Sequence, residues 1–352
     1  MRRTLKLCDF VDHVPPPPVN MAAGDSHLFA PRKKLPSGPV YLQEHENVFA
    51  LSCVLLADRH GRAMEQSSNP YTSTFPVPGL QRRAKREVLM TRYFTPTLPE
   101  ALWFVDRSYP NYWHWLCESL PRLFLARRAG VTAPLILPRR IGEVGFAMRV
   151  LEVMGEEPLF TGRKIGFFVK KLYVPEHPSH REFSLPSHNH EVINDFAEFI
   201  KERVGIPDGP MRKIYISRAR AARRRIIGEE AVIDLLRRHG YEDIYLEELD
   251  FKEQVRTFAK TSHLVSLHGA GLANMMFMPP GGRVMEILHP RNTSLIFRDL
   301  ALAKKADYYA LLGEQVVEPG KSDLNSDVKV EISSFSSELD AFDKNDAVRS
   351  HG

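Results

Sequence analysis

The second half of the chain predicts an α/β fold built on a parallel sheet. From residue 211 onward, short apolar runs typical of buried strands alternate with amphipathic stretches typical of helices. Parallel strands need a crossover between them, so this alternation indicates a sheet covered by helices on both faces. We expect strands at residues 213–217, 244–247, 263–267, 283–288 and 308–312, with helices at 229–239, 251–260, 272–278 and 293–304.

The first half is less regular, and its pattern predicts a separate domain. Residues 175–188 are rich in Pro, Ser and His, which is typical of an interdomain connection. We expect an irregular N-terminal segment (1–39), an N-terminal α/β domain (40–188), a C-terminal domain (189–320) and a tail (321–352). Other expected features are strands at 41–57, 101–106, 133–137, 171–174 and 328–332, turns at 66–79, and helices at 113–128 and 189–204.

The composition is typical of a soluble globular protein. The 352 residues are 43% hydrophobic and 26% charged, and no apolar run has the length of a membrane span. The N-terminus lacks a signal-peptide pattern, and the three cysteines (Cys8, Cys53 and Cys117) lie far apart, so we expect a reducing, cytoplasmic compartment. The net charge of +5 is compatible with phosphate-bearing ligands and with peripheral association at the inner face of a membrane.

A glycine-bearing turn follows the strand expected at residues 263–267. Gly269, Ala270 and Gly271 come directly after it, and Leu272 begins a short apolar stretch. A helix that begins after such a turn has free backbone N–H groups beside small residues, which suits a phosphate or diphosphate.

The same turn does not match the common nucleotide-binding motifs. A dinucleotide fingerprint requires Gly or Ala where this chain has Asn274, and no phosphate-binding Gly-Lys-Ser/Thr loop occurs. The alternative interpretation is an ordinary strand-to-helix turn whose glycines only permit tight packing.

Residues 212–225 hold seven basic side chains and no acidic one. Arg218 follows directly on an expected strand, at the sheet edge where α/β proteins bind ligands. Arginines there can bind a diphosphate through bidentate hydrogen bonds. A solvated basic loop and a nucleic-acid patch are the alternatives, although Tyr215 is the only aromatic residue within the run.

A third segment predicts acid–base chemistry on a helix. His114 and Glu118 are four residues apart and should share a helix face, and Arg122 follows after four more. A histidine paired with a carboxylate suits a general base that removes a proton from a hydroxyl. The alternative is a packed helix whose His114 bonds a backbone carbonyl.

No metal site is expected. His177, His180, His188 and His190 cluster in the chain, but they lack the spacing of a zinc motif and lie far from any cysteine. The chain also lacks the Asp-x-Asp pair with which many nucleotide-sugar enzymes hold a divalent ion.

Taken together, three segments resemble glycosyltransferase family 61. They are NYWHWLCESLPRL, YISRARAARRRIIGEEAV and SLHGAGLANMMFMPPGGRVMEI, and the resemblance covers roughly residues 100–335. It implies a GT-B-like architecture, with two Rossmann-like domains facing a cleft. It also implies an inverting transfer from a nucleoside-diphosphate sugar without metal or cofactor, and for bacterial members a place in polysaccharide biosynthesis.

The resemblance also implies roles for individual residues. His114 or Glu118 would be the base, and Arg122 would lie in the cleft. The chain departs from the family pattern at Gly228, where Asn is usual, and at Glu118, where Asp is commoner. The expected donor contacts are Arg218, Arg224, Arg225, Glu229, His268, Gly269, Ala270, Gly271, Leu272, Asn274 and Glu286.

The sequence therefore predicts a metal-independent glycosyltransferase. Its partners would be a nucleotide sugar and a hydroxyl acceptor on a glycan, a lipid-linked glycan or a protein, with no nucleic acid. Two alternatives remain. One is a related protein that binds nucleotide sugars or polysaccharide without catalysis, and the other is a nucleic-acid-binding protein that uses residues 212–225.

Overall fold

The computed structural model divides into two compact units. The first comprises residues 1–13 and 33–196, and the second residues 14–32 and 197–352, so the segment expected to be a separate N-terminal region is shared between them. The boundary falls inside a helix, α4 (His190–Val204). The structure describes residues 2–9, 16–22, 29, 39–52, 54–65, 78–176, 189–221, 223–289, 296–316 and 326–344. Most of the turns expected at 66–79 and most of the connection expected at 175–188 lie outside these ranges, and residues 78 and 79 begin a helix instead of a turn.

The first unit contains a mixed sheet. The order is β1-β2-β7-β4, with β3 paired to β2, and only β4 and β7 run parallel. A parallel bridge between Leu102 and Leu135 continues from β4 toward the parallel pair β5 and β6. The strands are β1 (Arg2–Cys8), β2 (Val40–Leu51), β3 (Leu55–Ala57), β4 (Thr97–Leu102), β5 (Ile136–Leu137), β6 (Leu159–Phe160) and β7 (Phe167–Pro175).

The parallel pairing expected of the first domain occurs between β4 and β7 and between β5 and β6, and its Rossmann-like character stays a prediction. Strands β1 to β3 form an antiparallel addition at β7. The expectation of an irregular stretch over 1–39 was wrong for β1, since its pairing with β2 depends on distant backbone groups that local patterning does not show. Whether the two units form a GT-B cleft stays a prediction.

Three helices belong wholly to the first unit: α1 (Pro78–Thr91), α2 (Leu120–Arg128) and α3 (Gly145–Met154). The sequence analysis missed α1 and α3. In α1 only Ala84 and Val88 are buried, so the apolar stripe is narrow. In α3 half of the residues are buried, which weakens the contrast between its faces (Ala147, Val150, Leu151, Val153 and Met154).

The second unit confirms the predicted parallel sheet. Its order is β10-β8-β11-β12-β13, with every neighbouring pair parallel, and a small sheet, β14-β15-β9, accompanies it. The strands are β8 (Arg212–Ile216), β9 (Ile226–Ile227), β10 (Tyr241–Ile244), β11 (Thr261–Leu267), β12 (Arg283–Leu288), β13 (Asp307–Leu312), β14 (Glu314–Gln315) and β15 (Val328–Lys329). The helices are α5 (Glu229–Arg238), α6 (Phe251–Ala259), α7 (Ile296–Ala303) and α8 (Ile332–Lys344).

The strand order places a topological switch point beside β8. The chain runs from β8 to β10 on one side and then to β11 on the other. In open α/β sheets, ligands bind outside the carboxyl ends of the strands at such a point. The strand expected at 244–247 is wrong in position, because residues 246–248 form a 3₁₀ turn after β10. Of the helices in the described ranges, none is both long and apolar enough to cross a membrane.

Candidate functional site

A π-helical turn, His114–Ser119, carries the first predicted pair and leads directly into α2. Its widened geometry is visible where the Leu120 N–H bonds the carbonyl of Trp115, five residues earlier. Pro121 explains the widening, since it has no N–H and its ring would clash with the carbonyl four residues back in an α-helix. Single π turns inside α-helices are frequent at functional sites.

His114 and Glu118 are in direct contact, as their spacing predicted. The Nδ1 atom of His114 lies 2.8 Å from Oε2 of Glu118. The His114 side chain is 25% exposed and that of Glu118 only 1%. When Glu118 is ionised, Nδ1 carries the proton and Nε2 keeps the lone pair that a base needs.

The surroundings of His114 favour its protonated form. Burial lowers the pKa of His114, but the hydrogen bond to Glu118 and the electrostatic attraction of Glu118 and Asp106 outweigh burial, so the net pKa is raised. When His114 is neutral, its raised pKa makes it a better proton acceptor than an isolated imidazole. The arrangement can therefore remove a proton from a hydroxyl and hold it.

Arg122 lies behind this pair and not on an open surface, so its expected place in a cleft was wrong. Its side chain is 3% exposed and donates from Nε and a terminal nitrogen to the carbonyl of Pro175. The guanidinium also lies 3.6 Å from the Asp106 carboxylate. Burial lowers the pKa of Arg122, and Asp106 and Glu118 counteract this. Arg122 therefore balances buried negative charge.

Arg218 begins the second site, at the carboxyl end of β8. Its Nε donates to the carbonyl of Arg224 over 3.0 Å, and one terminal nitrogen donates to that of Arg223 over 2.9 Å. Burial, followed by the charge of Arg224, lowers the pKa of Arg218 to about 10, so Arg218 stays cationic at neutral pH. Within the described residues, the other terminal nitrogen makes no hydrogen bond, and it faces the glycine turn after β11.

Gly269 is required by this arrangement. A Cβ atom there would lie 2.1 Å from the free terminal nitrogen of Arg218. The backbone N–H groups of Ala270 and Gly271, on the same turn, make no hydrogen bond within the described part of the chain, whereas Leu272 N–H donates to Gly269 O. A guanidinium and two backbone donors thus meet at the switch point, which is a suitable site for an anion.

Gly271 has a packing role in addition. A Cβ atom at this position would lie 2.5 Å from a methyl group of Leu246, in the 3₁₀ turn after β10. This contact supports the packing interpretation at Gly271, while Gly269 leaves room for a charged side chain. The predicted short helix is a 3₁₀ segment, Ala270–Phe277.

Arg224 is strained and incompletely satisfied. Its φ of 57° lies in the left-handed region, where a non-glycine residue costs roughly 1–2 kcal/mol. Its buried Nε has no hydrogen-bond partner in the described structure, and burial lowers its pKa. Strain and an unpaired buried donor on one residue are features of ligand sites.

The two predicted acidic contacts are buried and bonded internally. Glu229 accepts from the Tyr215 hydroxyl over 2.6 Å and from the Arg218 N–H over 3.0 Å. Glu286 is fully buried and accepts from the Tyr308 hydroxyl over 2.6 Å and from Nδ1 of His268. A ribose contact, as predicted for either carboxylate, would require a ligand to reach the fully buried Glu286, whereas Glu229 retains an unpaired buried oxygen within the described structure.

Two further predicted donor contacts, Arg225 and Asn274, form hydrogen bonds that connect parts of the second unit. Arg225 bonds Asp327 through its backbone N–H and its side chain, which links β9 to the segment before β15. Asn274 is fully buried and donates to Gln254 and to the carbonyl of Gly271.

The departure from the family pattern at Gly228 falls at the start of α5. Gly228 precedes α5 with a φ of 69° and provides no side-chain cap, and the first-turn acids Glu229 and Glu230 are the groups that favour the dipole there.

Sequence reasoning missed Asp106 and Tyr308. Asp106 follows β4 and reaches Arg122, while Tyr308 lies on β13 and reaches Glu286. Asp106 carried a usable signal, since it follows an apolar strand at the edge where ligands bind. Tyr308 carried none, because its partner is set by strand register.

The basic run does not form a continuous cationic surface. Arg212 pairs with Glu242, Lys213 with Asp343, Arg220 with Glu248 and Arg225 with Asp327. Among the described residues, no three His, Cys, Asp or Glu side chains come together as a metal-ligand set. Of the histidine cluster, only His190 lies within the described ranges.

Comparison with protein families places a known domain over both sites. The family model described as Glycosyltransferase 61 matches residues 112–285. This range contains His114, Glu118, Arg218 and the turn at Gly269, and it ends one residue before Glu286.

Individual relatives match shorter stretches. An "EGF domain-specific O-linked N-acetylglucosamine transferase" of Drosophila melanogaster is 28% identical over 127 residues, covering 34% of this chain and 24% of the relative. "Protein O-linked-mannose beta-1,4-N-acetylglucosaminyltransferase 2" of Bos taurus is 32% identical over 101 residues, covering 27% and 17%. The same-named protein of Canis lupus familiaris is 31% identical over 101 residues. The chain thus spans at most about a quarter of the length of these relatives.

Proposed function

Residues 112–285 belong to glycosyltransferase family 61, and from this premise we propose that the protein transfers a sugar from a nucleoside-diphosphate sugar to a hydroxyl acceptor. The observation that carries the proposal is the meeting of Arg218 with the free N–H groups of the turn after β11. The relatives are named as glycosyltransferases, which supports the same reaction class.

The donor diphosphate would bind at the switch point of the second unit. The backbone carbonyls of Arg223 and Arg224 hold the Arg218 side chain in place, so the guanidinium is oriented before a ligand arrives. It would act with the N–H groups of Ala270 and Gly271, and with Arg224, on the phosphate oxygens. As the glycosidic bond breaks, charge grows on the leaving diphosphate, and fixed donors stabilise that charge without reorganisation.

The acceptor hydroxyl would lose its proton to His114. Glu118 is too deeply buried to reach an acceptor, whereas the His114 ring is partly exposed. When Asp106 and Glu118 are both ionised, Arg122 balances one of the two charges and a proton on His114 balances the other. Proton transfer to His114 therefore leaves the cluster neutral. Attack by the deprotonated oxygen on the face opposite the leaving group would invert the anomeric centre.

Metal independence is part of the proposal. Two arginines and backbone donors at the diphosphate would replace the charge that a divalent ion supplies elsewhere. Transfer should therefore keep its rate after dialysis against EDTA. Activity that EDTA abolishes and Mn²⁺ restores would overturn this part.

Binding of nucleotide sugars is the first test. Because the relatives' names share N-acetylglucosamine, nucleotide-linked N-acetylglucosamine leads the panel, followed by other hexoses and pentoses. A bound donor should raise the melting temperature in proportion to RT ln(1 + [L]/Kd). The Arg218→Ala variant is the negative control, and the donor should raise its melting temperature much less. A panel with no stabilising member would overturn the proposal.

The acceptor and the two alternatives are resolved by product analysis. We propose that the acceptor is a glycan in polysaccharide biosynthesis. A transfer assay compares three acceptors, namely a glycan, a lipid-linked glycan and a protein hydroxyl. NMR of the product identifies the anomer formed. If the donor binds but is neither transferred nor hydrolysed, the non-catalytic alternative would be favoured. Salt-dependent oligonucleotide binding without competition by a nucleotide would favour the nucleic-acid alternative, although paired acids on four of the seven basic residues argue against it.

A further inference from the structure

Helix α1 and the turn after it expose an unusual combination of side chains. The helix packs on the first sheet through Ala84 and Val88, which contact a cluster containing Phe49 and Leu55. Leu80, Gln81, Glu87 and Thr91 are partly buried, and the other side chains of the helix are exposed. Arg82 and Arg86 lie four residues apart on the side opposite the two buried residues, and Leu89 continues that side.

The cations of α1 have no acidic partner. Arg82, Arg83, Lys85 and Arg86 are all exposed and make no ion pair within the described ranges. No acid occurs in the first turn of the helix. Like charges four residues apart repel, and cations near a helix N-terminus oppose its dipole. Within the described chain, ion pairing therefore does not stabilise these four cations, and the repulsion between Arg82 and Arg86 slightly opposes the helix.

Exposed apolar side chains follow at the end of the helix and in the turn after it. Leu89 is 61% exposed, Met90 64%, Tyr93 78% and Phe94 77%. Twelve large hydrophobic side chains are exposed in the described chain, and these four fall within six residues. Arg92 lies over the Tyr93 ring, 4.7 Å from its centroid, which keeps a cation beside the apolar group. Such a concentration marks an interaction surface and not random exposure.

We propose that α1 and residues 92–94 dock this protein on an anionic membrane surface. Exposed aromatic and aliphatic side chains can enter the boundary between headgroups and acyl chains, while neighbouring Arg and Lys side chains bind anionic headgroups. Charge complementarity selects this partner. On α1 and the turn after it, cations that have no ion-pair partner among the described residues adjoin exposed apolar side chains, and an anionic lipid surface matches both properties.

Vesicle co-sedimentation of the full chain tests the proposal. Vesicles of phosphatidylcholine alone are compared with vesicles containing one part phosphatidylglycerol to about two parts phosphatidylcholine, at low and high salt. We expect binding to the anionic vesicles that weakens with salt. Arg82→Glu with Arg86→Glu should reduce binding by more than about tenfold, and Leu89→Ser with Phe94→Ser should reduce it at all salt concentrations.

A matched control separates this surface from general charge. Arg238→Glu with Lys252→Glu makes the same change in net charge on exposed positions of α5 and α6, and it should leave binding intact. Circular dichroism and donor-induced thermal shift monitor folding in every variant. Equal losses in control and α1 variants, equal binding to neutral vesicles, or no binding to anionic vesicles would each overturn the proposal.

Discussion

The helix segment with His114 and the strand edge with Arg218 place a charged side chain in two different ways. His114 is oriented by Glu118, four residues along the same helix, and a buried Arg122 adds the balancing charge. Arg218 is oriented by the carbonyls of a loop five and six residues later and by a glycine from another strand. The first arrangement is local in sequence, and the second exists only after the sheet has formed.

This difference suits the two tasks. A base must change its charge during each turnover. The partly exposed His114 is hydrogen-bonded to the buried Glu118 carboxylate, which stabilises its protonated form. A group that binds diphosphate must keep its charge, and Arg218 stays cationic despite a pKa lowered to about 10. Substitutions at the two places should therefore alter different kinetic quantities.

The largest effect is expected at the base. His114→Ala should lower turnover by roughly 10²–10⁴-fold, the usual contribution of a positioned base. Donor affinity should stay near that of the unaltered protein, because the proposed donor contacts lie in the second unit. Single-turnover kinetics and a donor titration measure the two quantities. The exposed His60 is the matched control. Unchanged turnover in His114→Ala would remove this helix from the chemistry.

Arg218→Ala should act on binding instead. Loss of a hydrogen bond to a charged group should weaken donor and nucleotide-product binding by about 1.5–3 kcal/mol, measured by calorimetry. The neighbouring Arg220, 55% exposed and paired with Glu248, offers Arg220→Ala as a control, and an exposed pair contributes little. Normal nucleotide affinity in Arg218→Ala, or an unfolded protein, would contradict the proposed role.

Gly269→Ala should reproduce the Arg218 defect in part. The added methyl group would displace the guanidinium, so we expect donor binding to weaken by about tenfold, slightly less than the loss of one charge-assisted hydrogen bond. In the background of Arg218→Ala, the same substitution should have almost no further effect. Gly209→Ala is the control, because a Cβ there meets nothing within 4 Å. Additive losses would show that Gly269 and Arg218 act separately.

The smallest effect sharpens the comparison within the first site. Because Glu118 raises the pKa of His114, the acid limb of the kcat/KM profile should lie above the pH expected for an isolated histidine. Glu118→Gln removes that attraction and should move the limb to lower pH, with a smaller loss of turnover than His114→Ala. If the limb disappears and Glu118→Gln is the more damaging change, Glu118 is the base.

What could be predicted from the sequence follows the same division between local and distant partners. The contact of His114 with Glu118 was predictable because helical spacing alone brings them together. The parallel sheet was predictable from alternating strands and helices, and β12 has the predicted bounds. The burial of Glu286 beneath His268 and Tyr308 was not, since it depends on strand register and on packing of the completed sheet.

The π turn before Pro121 changes the direction in which side chains point around the helix axis, so the residues before and after it face different sides. In an unbroken α-helix, the outward direction of His114 would recur near residues 121, 122 and 125. These positions are buried, as are all residues from Leu120 to Ala126. A π turn takes up more residues than an α turn, so the rotation of α2 against the core is independent of the rotation that His114 needs. One proline thus lets a single helix act as a core element at one end and present a reactive ring at the other.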